Sequence, residues 1–466
     1  MYDLVIIGGG AAGLFAAWTA LEKGIKNIVL LENLKNTGGN SAMAGAMIYA
    51  VNTPYIAPGL NDLEAEYSEA LYFHHYDFIE PALIRSWLSE SANTIKWLED
   101  KGYEMRLCEL GEGYTHIMAD SPGVSWFHHV LRPLTKEITE RGVELRTQVT
   151  ALSIEKDGTG RVRGVAVRNA DGTTGTVEGK NVLLACGGFM YDKELLHKYF
   201  PSYYTEDSFY QIVPSPANGI DLAKSAGAKL NAECTLVKES GMCFTPGPRS
   251  PGRIFAMDGS VYINKFGRRF VNESLWNHNY CANALLRQPD REVYTIYSSE
   301  TLESVMDSVL PFDFRSNREV YMDFLREAAD EGRECRFFDT LDEMAGWIGA
   351  EPAVLKETIS NYNRYCEEGY DPEQTKPARY LKPLLSGPYL AIKVKPMYID
   401  TIGPVVVDGD LHVLGEDSRP IPGFYAAGVI AAGWEGRDYM RFGSALSFSS
   451  TSGRLAGMSI ARDMGI

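Results

Sequence analysis

The chain has 466 residues, too many for one compact core, so we expect two domains or one large domain that carries an insertion. Its 45 basic and 61 acidic residues give a net charge of -16, which disfavours binding to nucleic acid or to an anionic membrane surface. No apolar run reaches the roughly 18–20 residues of a membrane span, and no signal peptide or CxxC pair is apparent. We therefore expect a cytoplasmic protein without a membrane span, a disulfide framework or a metal site.

The first predicted elements are a strand, a glycine-rich loop and a helix. The apolar run Leu4–Ile7 suits a parallel strand buried on both faces, and GxGxxG follows it directly, from Gly8 to Gly13. In this motif Gly8 allows a tight turn, Gly10 lets the backbone approach a pyrophosphate, and Gly13 lets the helix pack closely on the strand. Glu32 ends the next predicted strand, about 20 residues further on, where a carboxylate can accept hydrogen bonds from a ribose. Together these elements predict a dinucleotide site.

Two further features favour FAD as the dinucleotide. A second glycine-rich segment, residues 37–46, follows Glu32 at once, as an extended dinucleotide requires, and residues 181–188 form another buried strand that ends in paired glycines. Residues 157–160 contain Gly-Thr-Gly but lie between two alternating runs, which indicates a β-hairpin. No second strand–GxGxxG–helix unit is then present for NAD(P)H, which argues against a reductase with two dinucleotide sites.

Motifs spread along the whole chain resemble those of a known family. One is the segment Asn264–Glu273, which reads N-x-x-G-x-R-F-x-N-E. The others are Asn218–Ala223, Ala226–Ala228, Thr401–Gly403, Gly423–Gly428 and Gly453–Gly457. Together with the N-terminal motifs, and in the same order, they resemble the fumarate reductase / succinate dehydrogenase flavoprotein superfamily, particularly its soluble branch with 3-ketosteroid dehydrogenases and related ene-reductases.

The resemblance implies an α/β fold class. A Rossmann-type FAD-binding domain, built from a parallel sheet plus a β-meander, would carry an inserted α+β capping domain that closes over the flavin. Residues 1–233 and 396–466 would form the FAD-binding domain, and residues 234–395 the capping domain. Covalent-flavin members of the family carry a histidine after the paired glycines, whereas Asn40–Met43 contain none. We therefore expect FAD to be bound non-covalently.

The motifs and the resemblance together assign the cofactor-binding residues. The resemblance places the last segment of the chain beside the flavin ring, where backbone N–H groups would stabilise the reduced flavin. The predicted FAD-binding residues are Gly8, Gly10, Ala12, Gly13, Glu32, Gly38, Gly39, Asn40, Ser41, Gly45, Val149, Ala185, Gly187, Gly188, Gly428, Gly443, Ser444 and Leu446.

The chain departs from the family where fumarate reductases hold a dicarboxylate. Aligned on the neighbouring motifs, Ala256, Asp400 and Met440 replace the proton-donating arginine, a substrate-binding histidine and a clamping arginine. Because an aspartate repels a dicarboxylate, we do not expect fumarate or succinate as substrates. The same alignment places Tyr439 on the catalytic tyrosine of the ketosteroid dehydrogenases. Arg441 could lower its pKa or bind a substrate oxygen; alternatively, Tyr439 only packs against the flavin.

Other candidates for substrate contact lie in segments that family members bring over the flavin. An ordinary partly buried or surface imidazole is the alternative for the histidine among them, and a solvated loop side chain is the alternative for the arginine. Arg269 is expected to brace the capping domain through Glu273. The candidate substrate-binding residues are His116, Ser125, Trp126, Arg253 and Asp400.

Three functions stay open from the sequence. The first is an ene-reductase, in which a hydride from flavin N5 adds to an activated C=C bond of the enone or acrylate type and Tyr439 protonates the neighbouring carbon. The second is the reverse reaction, a dehydrogenase that introduces a C=C bond next to a carbonyl group. The third is a non-catalytic flavin-binding subunit of a redox complex. In the first case the partners are a small-molecule substrate and an electron donor: reduced nicotinamide, free flavin or a redox protein.

Overall fold

The computed structural model describes residues 1–44, 47–57, 59–110, 113–118, 126–205, 209–210, 213, 219–242, 260–274, 278–309, 318–332 and 335–466. The strands are β1 (Leu4–Ile7), β2 (Ile28–Glu32), β3 (Met105–Leu110), β4 (Gly113–Met118), β5 (Glu144–Thr147), β6 (Thr150–Lys156), β7 (Val162–Arg168), β8 (Thr174–Glu178), β9 (Val182–Leu184), β10 (Phe209–Tyr210), β11 (Thr235–Met242), β12 (Val261–Asn264), β13 (Val293–Tyr297), β14 (Cys335–Phe338), β15 (Tyr389–Ile402), β16 (Val405–Val406), β17 (His412–Leu414), β18 (Pro420–Ala426) and β19 (Ala431–Ala432). The helices are α1 (Ala11–Glu22), α2 (Leu63–Phe73), α3 (Pro81–Asp100), α4 (Arg132–Glu140), α5 (Lys193–Tyr199), α6 (Gly219–Ser225), α7 (His278–Leu286), α8 (Ser299–Val309), α9 (Arg318–Asp330), α10 (Leu341–Ile348), α11 (Pro352–Glu368) and α12 (Ser444–Asp463).

A six-stranded sheet forms the centre of the N-terminal fold, in the order β17-β18-β9-β1-β2-β5. Every neighbouring pair is parallel except β17 and β18. The inner strands are fully buried because helices α1 and α12 and the antiparallel strands β6 and β7 pack against this sheet. Strands β6, β7 and β8 form a separate antiparallel meander. The parallel sheet and the meander that the sequence predicts are both confirmed.

Helices α1 and α12 pack against each other through small residues. A Cβ on Gly453 would clash with the carbonyl oxygen of Ala12, and a Cβ on Gly457 would lie 3.0 Å from that of Ala16. Glycine at these two positions therefore lets the last helix approach the first. As a result, the N-terminus of α12 lies at the same end of the central sheet as the GxGxxG loop.

A second sheet has the order β10-β15-β13-β12, with β11 and β14 also paired to β15. Apolar clusters on its two faces pack against helices of the segment between β12 and β15. The Arg269 guanidinium pairs with Glu273 at 2.9 Å and with Asp371 at 2.8 Å, all three side chains being buried. Arg269 therefore braces this part of the molecule internally, as the sequence predicts.

The predicted domain boundaries fall near this second sheet. Residue 233 precedes β11, but the boundary between residues 395 and 396 lies within β15, and β10 precedes residue 233 although it pairs with β15. The division into residues 1–233, 234–395 and 396–466 stays a prediction. Across the described ranges, no helix is long and apolar enough to cross a membrane.

Candidate active site

A cavity of about 380 Å³ lies where β1, β2 and β9 end. Loops that follow parallel strands meet at the same edge of the sheet, which is where α/β folds bind nucleotides. The cavity also reaches the loop before β6 and the first turn of α12. The predicted FAD-binding residues that line it are Gly8, Gly10, Ala12, Glu32, Gly39, Asn40, Ser41, Val149, Ala185, Gly187, Gly188, Gly428 and Leu446.

The GxGxxG loop has a backbone that only glycine allows at two points. Gly8 has φ 107°, and a Cβ there would clash with the carbonyl oxygen of Ala185. A Cβ on Gly13 would clash with the carbonyl oxygen of Gly8, so helix α1 starts directly against the loop. Gly10 is the N-cap of α1 and supplies no side-chain cap, and the first turn of α1 has no acidic residue. The helix therefore presents backbone N–H groups and a partial positive charge, which suit a phosphate group.

Glu32 is the acidic residue at the end of β2. Its carboxylate accepts hydrogen bonds from the backbone N–H groups of Gly9 and Leu34, each at 2.8 Å. Burial raises the pKa of Glu32, and these hydrogen bonds act in the opposite direction. The backbone of Asn33 also donates a hydrogen bond to this carboxylate. A carboxylate can accept more than three hydrogen bonds, so Glu32 can still accept one from a sugar hydroxyl.

Some predicted cofactor residues do not line the cavity. Gly13 packs α1 against the loop, and Gly38 donates its N–H to the carbonyl oxygen of Gly9 at 2.8 Å. Gly443 is the N-cap of α12 with φ 78°, and the Ser444 hydroxyl donates to Glu435 at 3.2 Å and to the carbonyl oxygen of Arg441 at 2.8 Å. Three predicted residues, Gly45, Ser125 and Arg253, lie outside the described residues.

The cavity also has lining residues that the sequence analysis did not select. Cys186 lies between Ala185 and Gly187, so the selected motif already marks its position. Ser449 lies one turn after Leu446 on the same face of α12, a spacing that helical periodicity could have indicated. The other unselected residues include Leu152, Met190, Tyr191, Val213, Asp221 and Ala445.

Tyr439 is buried beside the N-terminus of α12. Its hydroxyl oxygen accepts a hydrogen bond from the backbone N–H of Ala445 at 2.9 Å, and Ala445 lines the cavity. Burial raises the pKa of Tyr439, hydrogen bonds from Ser444 and Ala445 lower it, and the charges of Glu435 and Asp400 raise it further. The net direction is upward, so the phenol holds its proton at neutral pH.

Arg441 lies two residues further on and faces carboxylates of α2. Its guanidinium is 3.3 Å from Glu66 and pairs also with Glu69. Tyr49, whose hydroxyl donates to Glu66, completes this group. The positive charge of Arg441 is therefore balanced by two glutamates. Its predicted roles, lowering the pKa of Tyr439 or binding substrate, stay predictions.

Asp400 lines the cavity at the end of β15. Its Oδ1 accepts a hydrogen bond from the backbone N–H of Thr401 at 2.8 Å, and Asn40 also bonds to the carboxylate. The side-chain oxygen of Asn40, Oδ1, accepts a hydrogen bond from the backbone N–H of Val213 at 2.9 Å. The side-chain NH2 group of Asn40 is therefore the donor to Asp400. Burial raises the pKa of Asp400 to about 7, and the two hydrogen bonds act against that rise.

His116 and Trp126 are both fully buried and do not line this cavity. Nε2 of His116 lies 2.7 Å from the Thr53 hydroxyl, and Nδ1 lies 3.2 Å from the carbonyl oxygen of Ile48. Burial lowers the pKa of His116 to about 4, so the ring is neutral. Trp126 stacks on Phe15 with 6.5 Å between ring centroids. Both residues therefore pack in the core. Their predicted contacts with a substrate stay predictions.

Comparisons with known proteins agree with this fold. A family model described as an FAD binding domain matches residues 3–438. The chain is 28% identical to a fumarate reductase (cytochrome) of Shewanella frigidimarina, over 99% of this chain and 77% of that protein. It is 26% identical to a vinyl phenol reductase of Lactiplantibacillus plantarum, over 99% and 96% of the two chains. The 3-ketosteroid delta1-dehydrogenase of Sterolibacterium denitrificans has the same fold, with a TM-score of 0.77 at 19% identity over 99% of both chains.

The chain therefore belongs to the FAD binding domain family and has the succinate dehydrogenase/fumarate reductase flavoprotein fold. It is an FAD-dependent oxidoreductase. The residues at the cavity fit this cofactor: the bare glycine backbone leaves room along the wall, α1 offers N–H groups for a pyrophosphate, and Glu32 offers acceptors for a ribose.

Proposed function

We propose that this protein reduces an activated C=C bond, of the enone or acrylate type, with non-covalently bound FAD and with Tyr439 as the proton donor. When bound, the reduced cofactor supplies the hydride that adds to one carbon of the double bond. Tyr439 gives its proton to the other carbon, so that the alkene takes up a hydride and a proton. The observation that carries the proposal is the position of the buried Tyr439 hydroxyl, 2.9 Å from the N–H of the cavity residue Ala445.

The protonation state of Tyr439 favours reduction over the reverse reaction. A dehydrogenase would use the phenolate to take a proton from carbon, whereas burial and two nearby carboxylates make the phenolate unfavourable here. A protonated phenol can act at once as a general acid. The reverse reaction would first have to remove this proton from the buried phenol.

The charges around the site favour a substrate without two carboxylates. Two charged groups act on Tyr439, Glu435 and Asp400, and both are acidic. The two cations nearest in sequence to Tyr439 are already paired, Arg437 with Asp77 and Arg441 with Glu66 and Glu69. Holding a dicarboxylate needs free cations. We therefore propose uncharged aromatic alkenes and enones as substrates in preference to fumarate. The likeness to a vinyl phenol reductase over nearly the whole of both chains supports this preference.

The flavin has to be reduced again after each turnover, because the alkene takes up its hydride. We propose reduced nicotinamide, free reduced flavin or a redox protein as the donor. A screen of the three, each followed by bleaching of the flavin absorbance, would distinguish them, and failure of all three would remove this part of the proposal.

The function is tested by the oxidation of reduced flavin in the absence of oxygen. The purified holoprotein is reduced with dithionite and mixed with a vinyl phenol, aryl-acrylates, urocanate, enone steroids, flavonoid-type compounds and fumarate. Fast reoxidation by a vinyl phenol, an aryl-acrylate or an enone, without reoxidation by fumarate, supports the proposal and identifies the substrate class. No reoxidation, combined with bleaching of the oxidised protein by a saturated ketone, would indicate a dehydrogenase instead. No reaction in either direction would favour a non-catalytic flavin-binding subunit.

A further inference from the structure

A buried acid–imidazole pair lies next to Tyr439 and is not part of the cofactor motifs. His74, just after α2, and Glu435, in the segment before α12, are separated by 3.0 Å between Nε2 and Oε2. Their side chains are only 2% and 1% exposed. A charged group at this depth is costly unless hydrogen bonds surround it, so the partners of the pair indicate what it does.

Hydrogen bonds define the state of both side chains. The backbone N–H of Gly436 donates to Nδ1 of His74 at 3.2 Å, so the proton of a neutral ring lies on Nε2 and points at Glu435. The N–H of Met440 donates to Oε2 of Glu435 at 3.2 Å. The single proton of the Ser444 hydroxyl is shared between Oε1 of Glu435, at 3.2 Å, and the carbonyl oxygen of Arg441, at 2.8 Å. Glu435 thus faces three donors, an arrangement that suits an anionic carboxylate.

These donors lie on both sides of Tyr439 in the chain. Met440 is the next residue, and Ser444 starts α12 directly before Ala445, whose N–H donates to the Tyr439 hydroxyl. One carboxylate therefore fixes both ends of the segment that carries the phenol. The loop is also packed tightly on His74, because a Cβ on Gly436 would lie 3.0 Å from Nδ1.

Several charged groups surround this phenol. Glu435 and Asp400 both raise the pKa of Tyr439, after burial as the largest cause, and the hydrogen bonds from Ser444 and Ala445 lower it. The neighbouring cations are all paired: Arg441 with carboxylates of α2, Arg437 with Asp77, and Lys238 with Asp438. Of the two acidic groups, only Glu435 is also hydrogen-bonded to the segment that holds the phenol.

We propose that Glu435 is a positioning residue for Tyr439: held by neutral His74, its carboxylate fixes the phenol at the start of α12, and its negative charge keeps the proton on the phenol. The inference rests on the proposed function in one respect only, namely that Tyr439 donates this proton to the substrate. It predicts a property of Tyr439 that can be measured without any substrate.

The test replaces Tyr439 with a trifluorotyrosine, whose phenol is more acidic than that of tyrosine, and titrates its ¹⁹F signal in the holoprotein. In the Glu435→Gln background we expect the ionisation constant of this residue to rise by about tenfold, since one neighbouring charge is removed. The matched control is Glu137→Gln, on α4, where Glu137 pairs with Lys101. His74→Gln, which keeps a donor towards Glu435, should leave the titration unchanged.

Equal titration of residue 439 in the Glu435→Gln and Glu137→Gln backgrounds would overturn the proposal. If Glu435→Gln does not fold, His74→Leu serves instead, because it removes the donor that stabilises the anionic Glu435 carboxylate. The ionisation constant of residue 439 should then also rise. An unchanged ionisation constant would again overturn the proposal. For any alkene that is turned over, the alkaline limb of the pH–rate profile should move to lower pH in Glu435→Gln. Because the fluorine titration needs no turnover, it can succeed or fail whether or not an alkene substrate is found.

Discussion

The Glu32 carboxylate is joined to the GxGxxG loop by a hydrogen bond of 2.8 Å from the backbone N–H of Gly9. This bond fixes the end of β2 against the loop after β1, and the second one, from the N–H of Leu34, holds the other carboxylate oxygen. Both oxygens are thereby oriented at the wall of the cavity.

Replacing Glu32 with Gln should weaken FAD binding. Hydrogen bonds to a charged acceptor contribute about 1.5–3 kcal/mol each, so we expect the dissociation constant to rise roughly 10- to 100-fold. Titration of the apoprotein with FAD, followed by quenching of flavin fluorescence, measures this change. Glu137→Gln is the control, and an affinity within twofold of the wild type for Glu32→Gln would contradict the assigned role.

Asp400→Asn should stabilise the apoprotein at neutral and alkaline pH. Burial raises the pKa of Asp400 from 3.8 to about 7, so the folded state binds this proton more tightly than the unfolded state does. Stability is therefore lost as the pH rises from about 4 to 7. The variant lacks this loss, and its advantage should grow over that interval to at most about 4 kcal/mol. Urea unfolding at several pH values tests it, and a difference independent of pH would refute the burial of an ionisable Asp400.

His412 should contribute to stability in the opposite sense. Its ring nitrogens lie 2.9 Å from Asp408 and 2.7 Å from Asp463, and these partners raise its pKa to about 9. Because the folded pKa lies above the ordinary 6.5, the stabilisation is complete below pH 6.5 and is lost as the pH rises through 9. We expect a loss of at most about 3 kcal/mol. In His412→Gln this alkaline loss should be absent, whereas His75→Asn should keep it; an equal loss in all three proteins would contradict the assignment.

Gly8→Ala should destabilise the protein and Gly158→Ala should not. Gly8 has φ 107° and lies against the carbonyl group of Ala185, whereas a Cβ on Gly158 would meet nothing within 4 Å. We expect a loss of about 1–3 kcal/mol or more for the first variant and a change within about 0.5 kcal/mol for the second. Thermal unfolding of the two apoproteins makes the comparison, and similar midpoints would show that the loop is less constrained than its geometry implies.

The cofactor side of the site could be predicted from sequence because its signals are local. Gly8, Gly10 and Glu32 lie in one strand–loop–helix–strand unit whose spacing is set by the fold, and all three line the cavity. Gly187 and Gly188 follow a strand that also ends at this edge. Residues whose position depends on tertiary packing are predicted less well. Gly443 and Ser444 follow the family pattern but do not line the cavity, and the Ser444 side chain is directed towards Glu435.

The surroundings of Tyr439 could not be predicted in the same way. His74 and Glu435 are far apart in the chain, and neither belongs to a motif; only the packing of α2 against the segment before α12 brings them together. The two glutamates that balance Arg441 also come from α2. Likewise, nothing local indicates that the Asp400 carboxylate rests on Asn40. Long-range contacts of this kind have no sequence period or spacing to reveal them.

The most direct measurement of the central claim is the rate at which an alkene reoxidises the reduced flavin in single turnover, in the wild type, in Tyr439→Phe and in Tyr425→Phe. Tyr425 is a matched control, since it is also buried and its hydroxyl donates to Asp463 at 2.7 Å. Loss of a general acid slows a reaction by about 10²- to 10⁴-fold, so we predict a drop of that size for Tyr439→Phe alone, with FAD content unchanged. A rate in Tyr439→Phe equal to that in Tyr425→Phe would contradict the claim that Tyr439 donates the proton.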